Sequence, residues 1–217
     1  MSISDAPATD LTIERLMNVI EAVVATIVDH SSELTDLDQA IGDGDHGINM
    51  KRGFQAIAAA SAKLAAQPPG DALKTVGTTL IMTVGGASGP LYGSLFMAMS
   101  KAVAGRPIDL AVATEMLAAG IEAVQMRGKS HAGEKTMLET LIPTLEALKA
   151  NASAEPAALA AALRAAAFAG ADSTIPLRAS KGRASFLGER SIGHMDPGAR
   201  SSALMIEAVC NVFAPAT

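Results

Sequence analysis

Residues 12–27 read TIERLMNVIEAVVATI, and they set the fold class. Ile13, Leu16, Ile20, Val23, Val24 and Ile27 recur at helical spacing and form one stripe on a 3.6-residue helix. Thr12, just ahead of the stripe, offers the hydroxyl that caps a helix start. The same period continues along the chain. It predicts a loop from Leu34 to Asp45 and a second helix from His46 to Gln67, ending at Pro68-Pro69-Gly70. A third helix, capped by Asp71, runs to Val84, and Pro90 suits the first turn of a fourth. Pro107 and Asp109 open a fifth that ends near Gly128. A sixth begins near Lys135, with a kink at Pro143, a seventh covers Glu155 to Thr174, and the last runs from Ala199 to Phe213. That makes about eight helices and no convincing strand: an all-α chain, read as one domain over 1–217 with residues 1–9 flexible.

Composition narrows the function. The net charge of −5 argues against a nucleic-acid partner, which needs a basic surface, and one Tyr with no Trp offers no base-stacking platform. The richest apolar run, Thr75 to Val84, stops at about half of the roughly twenty residues that span a bilayer, so no membrane is expected. The first residues, MSISDAPATD, lack the basic and apolar regions of a signal peptide, which predicts a cytoplasmic protein. Cys210 lies in an apolar run and reads as a buried thiol.

The information is concentrated in four loops rich in Gly and polar residues. Helix packing does not require such loops, and loops of this kind commonly carry function. The first, LDQAIGDGDHGINM (37–50), places Asp38, Asp43 and Asp45 within eight residues. Such carboxylates repel one another unless a cation lies between them, and hard divalent ions such as magnesium take oxygen ligands. The plainer alternative is a solvated acidic turn. The spacing fails the calcium EF-hand pattern because Gly47 stands at a ligand position, and no Cys or His cluster suits zinc. His46 and Asn49 follow on the first turn of a helix, where free amides favour anions; His46 reads equally well as a capping or buried histidine.

The second loop, VGGASGPLYGS (84–94), has the glycines and Ser88 before a helix start that suit phosphate, or an ordinary turn. The third, RGKSHAGEKTM (127–137), only imitates a P-loop: Glu134 intervenes between Gly133 and Lys135, and no strand precedes it. Lys129 and Lys135 face an anion or solvent. The fourth, SKGRASFLGERSIGHMDPGARSS (180–202), carries Lys181, Arg183, Arg190, His194 and Asp196 among glycines. Arg suits phosphate oxygens, and a long irregular segment that still holds Phe186, Leu187, Ile192 and Met195 is expected to be a lid.

Together the strings IGDGDHGINM, GGASGPLYG, GKSHAGEKTM and KGRASFLGERSIGHMDPGA resemble, in order and over most of the chain, the L subunit or L domain of dihydroxyacetone kinases. The resemblance implies a barrel of eight antiparallel helices with the nucleotide site formed by loops at one end. It implies two magnesium ions held by Asp38, Asp43 and Asp45. It implies ADP or ATP contacted by His46, Asn49, Ala87 and Ser88, lined on the adenine side by Gly128 and Met137, and closed over by Arg183 and the turn Asp196-Pro197-Gly198. The chemistry implied is phosphoryl transfer to the alcohol group of dihydroxyacetone or a similar ketose held on a separate K subunit. A chain carrying the L part alone is more similar to the phosphoenolpyruvate-dependent form, in which bound ADP is recharged by an M subunit of the sugar phosphotransferase system, than to the ATP-exchanging form. Three rivals stand beside it: a fatty-acid kinase, which is expected to lack the GRASFLGERSIGHMDPGA segment and is disfavoured; a phosphohistidine carrier at His46 or His194, against which phosphate is expected on the nucleotide; and a module whose nucleotide state is read by a transcription regulator, which stays open.

Overall fold

The computed structural model describes residues 11–103 and 105–215; the flexibility expected of residues 1–9 lies outside them. The described residues form ten α-helices, one 3-10 segment and no strand. The helices are α1 Ile13–Asp29, α2 Ser31–Ile41, α3 His46–Ala59, α4 Ser61–Ala65, α5 Pro69–Thr83, α6 Ser88–Val103, α7 Leu110–Gly128, α8 Leu138–Ala150, α9 Pro156–Ser173 and α10 Pro197–Phe213, with the 3-10 segment at Arg183–Ser191. The Thr12 hydroxyl accepts from the Arg15 amide at 3.3 Å, and Leu16, Val23 and Ile27 of the opening stripe are buried. No helix among the described residues is long and apolar enough to cross a membrane.

Three predicted boundaries need correction. The expected loop from Leu34 to Asp45 is mostly helix: α2 reaches Ile41, and only residues 42–45 turn. The reason is that α2 buries Leu34, Asp38 and Ile41 on its inner face, so a carboxylate interrupts the apolar period. The expected helix 46–67 breaks at Ala60 into α3 and α4. Pro68 rather than Asp71 stands at the N-cap of α5, with Pro69 in its first turn, where a missing amide costs nothing.

Eight helices close a ring. α1 packs on α3, α3 on α5, then α5 on α6, α6 on α7, α7 on α8, α8 on α9, α9 on α10, and α10 returns to α1. The short α2 and α4 bridge neighbours in it. Ile27, Met50, Leu80, Leu138 and Leu204 are buried in one continuous core. A smaller alanine cluster, Ala167, Ala171, Ala199 and Ala203, seats α9 against α10. Helices α5 and α6 approach closely because Gly77 and Gly93 face each other; a Cβ on either would lie 2.8 Å from the other's carbonyl oxygen. Cys210 is buried, and burial pushes its thiol up to about 11.

Neighbouring helices joined by short connections run antiparallel, so alternate connections emerge at the same end. Those following α2, α5, α7 and α9 are the four polar loops, and the ring therefore gathers them on one rim.

Candidate nucleotide and metal site

The first loop is built around Asp38. Its Oδ2 accepts the amides of Asp45 at 2.8 Å and His46 at 3.1 Å, so one carboxylate both folds the turn and caps α3. Asp43 and Asp45 bring carboxylate oxygens beside it, one from each residue, all within 4.8 Å of one another. An all-oxygen donor set of three carboxylates suits magnesium. A cation already stands there: Arg183 Nη2 lies 3.0 Å from Asp43 Oδ2.

Beside this cluster opens a cavity of about 420 Å³ lined by all four loops. Three helices start on its wall: α3 at His46, α6 at Ser88 and α10 at Pro197. Helix starts carry partial positive charge. Asp38 takes that of α3, and Asp196 caps α10 by accepting the Ala199 amide at 2.7 Å. The approach to α6, Val84-Gly85-Gly86-Ala87-Ser88, contains no acid, which leaves its start for an incoming anion. Gly86 holds φ +65° with nothing within 4 Å of a notional Cβ, a conformation and an opening that glycine permits.

His46 is buried, and both of its ring nitrogens are engaged. Nδ1 lies 3.0 Å from Ser88 Oγ and Nε2 3.0 Å from Ser201 Oγ. Burial pulls its pKa down to about 4, against the attraction of Asp38, so the ring is neutral. Ser201 Oγ lies in turn 2.7 Å from the Tyr92 hydroxyl. Asn49 does not line the cavity. It is buried beneath the second loop, where a Cβ on Gly85 would meet it at 2.9 Å, and its Oδ1 accepts from Arg52 at 2.6 Å.

The third and fourth loops are fastened together. Lys135 is fully buried and donates from Nζ to the Thr174 carbonyl at 2.7 Å and to the His194 carbonyl. It does not face solvent. Burial lowers its pKa and Asp196 opposes that. Glu139 accepts the amides of Gly133 and Thr136 at 2.7 and 2.6 Å, and Lys181 Nζ lies 3.6 Å from Glu134 Oε1. The segment 183–191 is 3-10 helix broken by a kink at Gly188 (φ +59°) rather than wholly irregular chain. Its Phe186 is 88% exposed, so it is not an apolar anchor. Met137 and Gly128 line the cavity with Leu91 and Val124, an apolar wall opposite the carboxylates in chemistry. Burial raises the Asp196 carboxyl to about 7, against the Ala199 amide and Lys135, with smaller pushes from Glu139 and Asp38.

The cavity thus gathers Asp38, Asp43, Asp45, His46, Ala87, Ser88, Gly128, Met137, Arg183, Asp196, Pro197 and Gly198, and of the expected residues it leaves out Asn49. Sequence reasoning missed Tyr92 and Ser201. Their signal was faint: a lone tyrosine in GPLYG and a serine in the second turn of α10, 109 residues apart.

Residues 40–211 match the DAK2 domain family. Over 176 residues, 81% of this chain and 84% of the relative, it is 49% identical to the ADP-binding subunit of a PEP-dependent dihydroxyacetone kinase from Listeria innocua. It is 44% identical over 181 residues to the corresponding subunit from Escherichia coli, 82% and 86% of the two chains. The dihydroxyacetone kinase of C. freundii superposes with a TM-score of 0.74 at 26% identity; the match covers 97% of this chain but only 37% of that longer one.

Proposed function

The chain belongs to the DAK2 domain family, and from that premise we propose that it is the nucleotide-holding subunit of a dihydroxyacetone kinase. It carries ADP or ATP on two magnesium ions and passes the phosphoryl group to dihydroxyacetone, or a similar short ketose, held by a separate K subunit. The observation that carries this reading is the convergence of Asp38, Asp43 and Asp45 beside an acid-free helix start on one cavity wall.

Bound magnesium would offset the charge of the phosphate chain and orient it for in-line transfer. The residues of this chain do the rest. The three carboxylates hold the metal. The start of α6 and Ser88 take phosphate oxygens, where backbone amides approach without obstruction. Leu91, Val124, Gly128 and Met137 shelter the base, an apolar slot of the kind small ligands use. Arg183 stands close enough to the acids to neutralise charge that develops there. Phosphoryl transfer asks little covalent work of the donor side, and no general base is assigned on this chain.

The similarity to two ADP-binding subunits of PEP-dependent enzymes supports the form in which ADP stays bound and is recharged by an M-type phosphoryl donor. Denaturing the freshly purified protein and weighing the released nucleotide tests this. ADP near one per chain is expected. No retained nucleotide, with Mg·ATP binding that Asp43→Ala abolishes, selects the ATP-exchanging form instead. Failure to bind Mg·ATP at all removes the nucleotide reading.

A further inference from the structure

Every hydrogen-bonding atom of the buried network around His46 has a partner, but only some proton placements leave the site able to hold an anion. The network holds four hydroxyls, Ser88, Ser201, Ser202 and Tyr92, and the His46 imidazole, which is buried with a serine hydroxyl at each ring nitrogen and a carboxylate at neither, a setting that holds a neutral ring with one N–H to place. Ser202 Oγ lies 2.8 Å from the Gly198 carbonyl and donates there. Tyr92 Oη reaches Ser201 Oγ at 2.7 Å, Ser202 Oγ at 3.0 Å and the Gly198 carbonyl at 3.0 Å. Ser201 Oγ reaches His46 Nε2 at 3.0 Å, the Pro197 carbonyl at 2.9 Å and the Gly198 carbonyl at 3.2 Å.

Two arrangements follow from the donor and acceptor inventory. In one, His46 carries its proton on Nε2 and donates to Ser201, which turns its own proton to the Pro197 carbonyl. Nδ1 must then accept from Ser88, and Ser88 shows only lone pairs to the cavity. In the other, Tyr92 donates to Ser201 and Ser201 donates to His46 Nε2. His46 Nδ1–H donates to Ser88 Oγ, and the Ser88 proton is free for the cavity. Gly198 keeps its donor from Ser202 in both. Lone pairs facing a phosphate repel it, whereas an O–H donated to it is a charge-assisted bond. An anion at the start of α6 therefore selects the second arrangement.

We propose that Tyr92 and Ser201 are positioning residues that fix His46 in its Nδ1–H tautomer and so aim the Ser88 hydroxyl at the nucleotide phosphates. His46 then acts through Ser88 rather than as a ligand in its own right. Reaching across the barrel from α6 to α10, the chain of bonds ties the phosphate loop to the helix whose start carries Asp196. This inference rests on the nucleotide reading above, and its test separates the two.

The test is long-range proton–nitrogen NMR of the ¹⁵N-histidine-labelled full chain, which has four histidines, with and without Mg·ADP. His46 is assigned by the signal lost in His46→Gln. In the Mg·ADP complex it is expected to be protonated at Nδ1 with Nε2 bare, and Ser201→Ala is expected to remove that bias. Ser201→Ala should weaken Mg·ADP binding about tenfold, in the range of one hydrogen bond to a charged group, and Tyr92→Phe several-fold. In a Ser88→Ala background both losses should vanish, because the route ends at Ser88. An Nε2–H tautomer in the complex, or losses that persist undiminished in Ser88→Ala, overturns the proposal while leaving the nucleotide reading intact. Mg·ADP that does not bind the unaltered chain overturns both.

Discussion

Arg183 and Asp43 form an ion pair at 3.0 Å that joins the fourth loop to the first across the mouth of the cavity. Their side chains are 64% and 37% exposed, and ion pairs in water contribute little to stability. Arg183→Ala is expected to leave the Tm unchanged without ligand. Its binding effects should have opposite signs. Mg²⁺ alone should bind more tightly once a competing cation is gone, and Mg·ADP more weakly once a phosphate partner is gone. Calorimetric titration of each ligand reads both, and a change of the same sign in the two would refute the competition.

Asp38 and Asp43 should separate in the same way. Asp43 makes no bond to backbone in the first loop, so Asp43→Ala removes a proposed metal ligand and a source of repulsion, and the metal-free fold should keep its Tm. Asp38 also accepts the amides of Asp45 and His46. Asp38→Ala therefore loses both metal binding and a helix cap, about 1 kcal/mol or more of stability. Thermal melts in EDTA distinguish them.

Asp196 gives the protein a pH response. Its folded carboxyl titrates at about 7, raised from an ordinary value of 3.8 chiefly by burial. Between those values the folded chain holds a proton that the unfolded chain has released. Stability from this group is therefore present at low pH and is lost as pH rises from about 4 through about 7. Asp196→Asn, which keeps a capping oxygen, should match the wild-type Tm near pH 4 and exceed it at pH 8, both measured in EDTA. Equal Tm values at pH 8 would show that folding does not raise the carboxyl above its ordinary range.

Lys135 is structural in the free chain. Its ammonium satisfies carbonyls on both sides of the fourth loop, Thr174 and His194; the Thr174 carbonyl also accepts from the Leu177 amide at 3.2 Å, so Lys135→Met would leave the His194 carbonyl without a donor, at roughly 1–3 kcal/mol. A lower Tm and faster proteolysis within 175–196 are expected. Unchanged protease resistance there would mean that the loop is held by Arg183 and Lys181 instead.

Much of this arrangement is legible in the sequence, for a physical reason. Leu16, Val23 and Ile27 repeat at a helical period because one face of α1 must be buried, and that logic holds round the ring. Gly-Asp and Gly-Gly stretches stand out because the helices give them no packing role. α2 was hidden because Asp38 occupies a core-facing position between Leu34 and Ile41; the chemistry erased the periodic signal. The break at Ala60 lies in AIAAASAKLA, where every residue is compatible with helix. The Tyr92–Ser201–His46 network was out of reach because it depends on α6, α10 and α3 meeting in space, and local periodicity says nothing about which helices meet.

Ring closure has a consequence for synthesis. α1 is flanked in the ring by α10 as well as α3, and α10 contributes Asp196, Pro197 and Gly198 at its start to the cavity wall. A ribosome releases α1 through α9 before this last stave exists. The emerging polypeptide thus displays its acidic loop early but lacks the wall that completes the pocket. Closing the seam and completing the cavity wall are one event, so under the nucleotide reading proposed above a bound nucleotide would favour the closed product over every partial one.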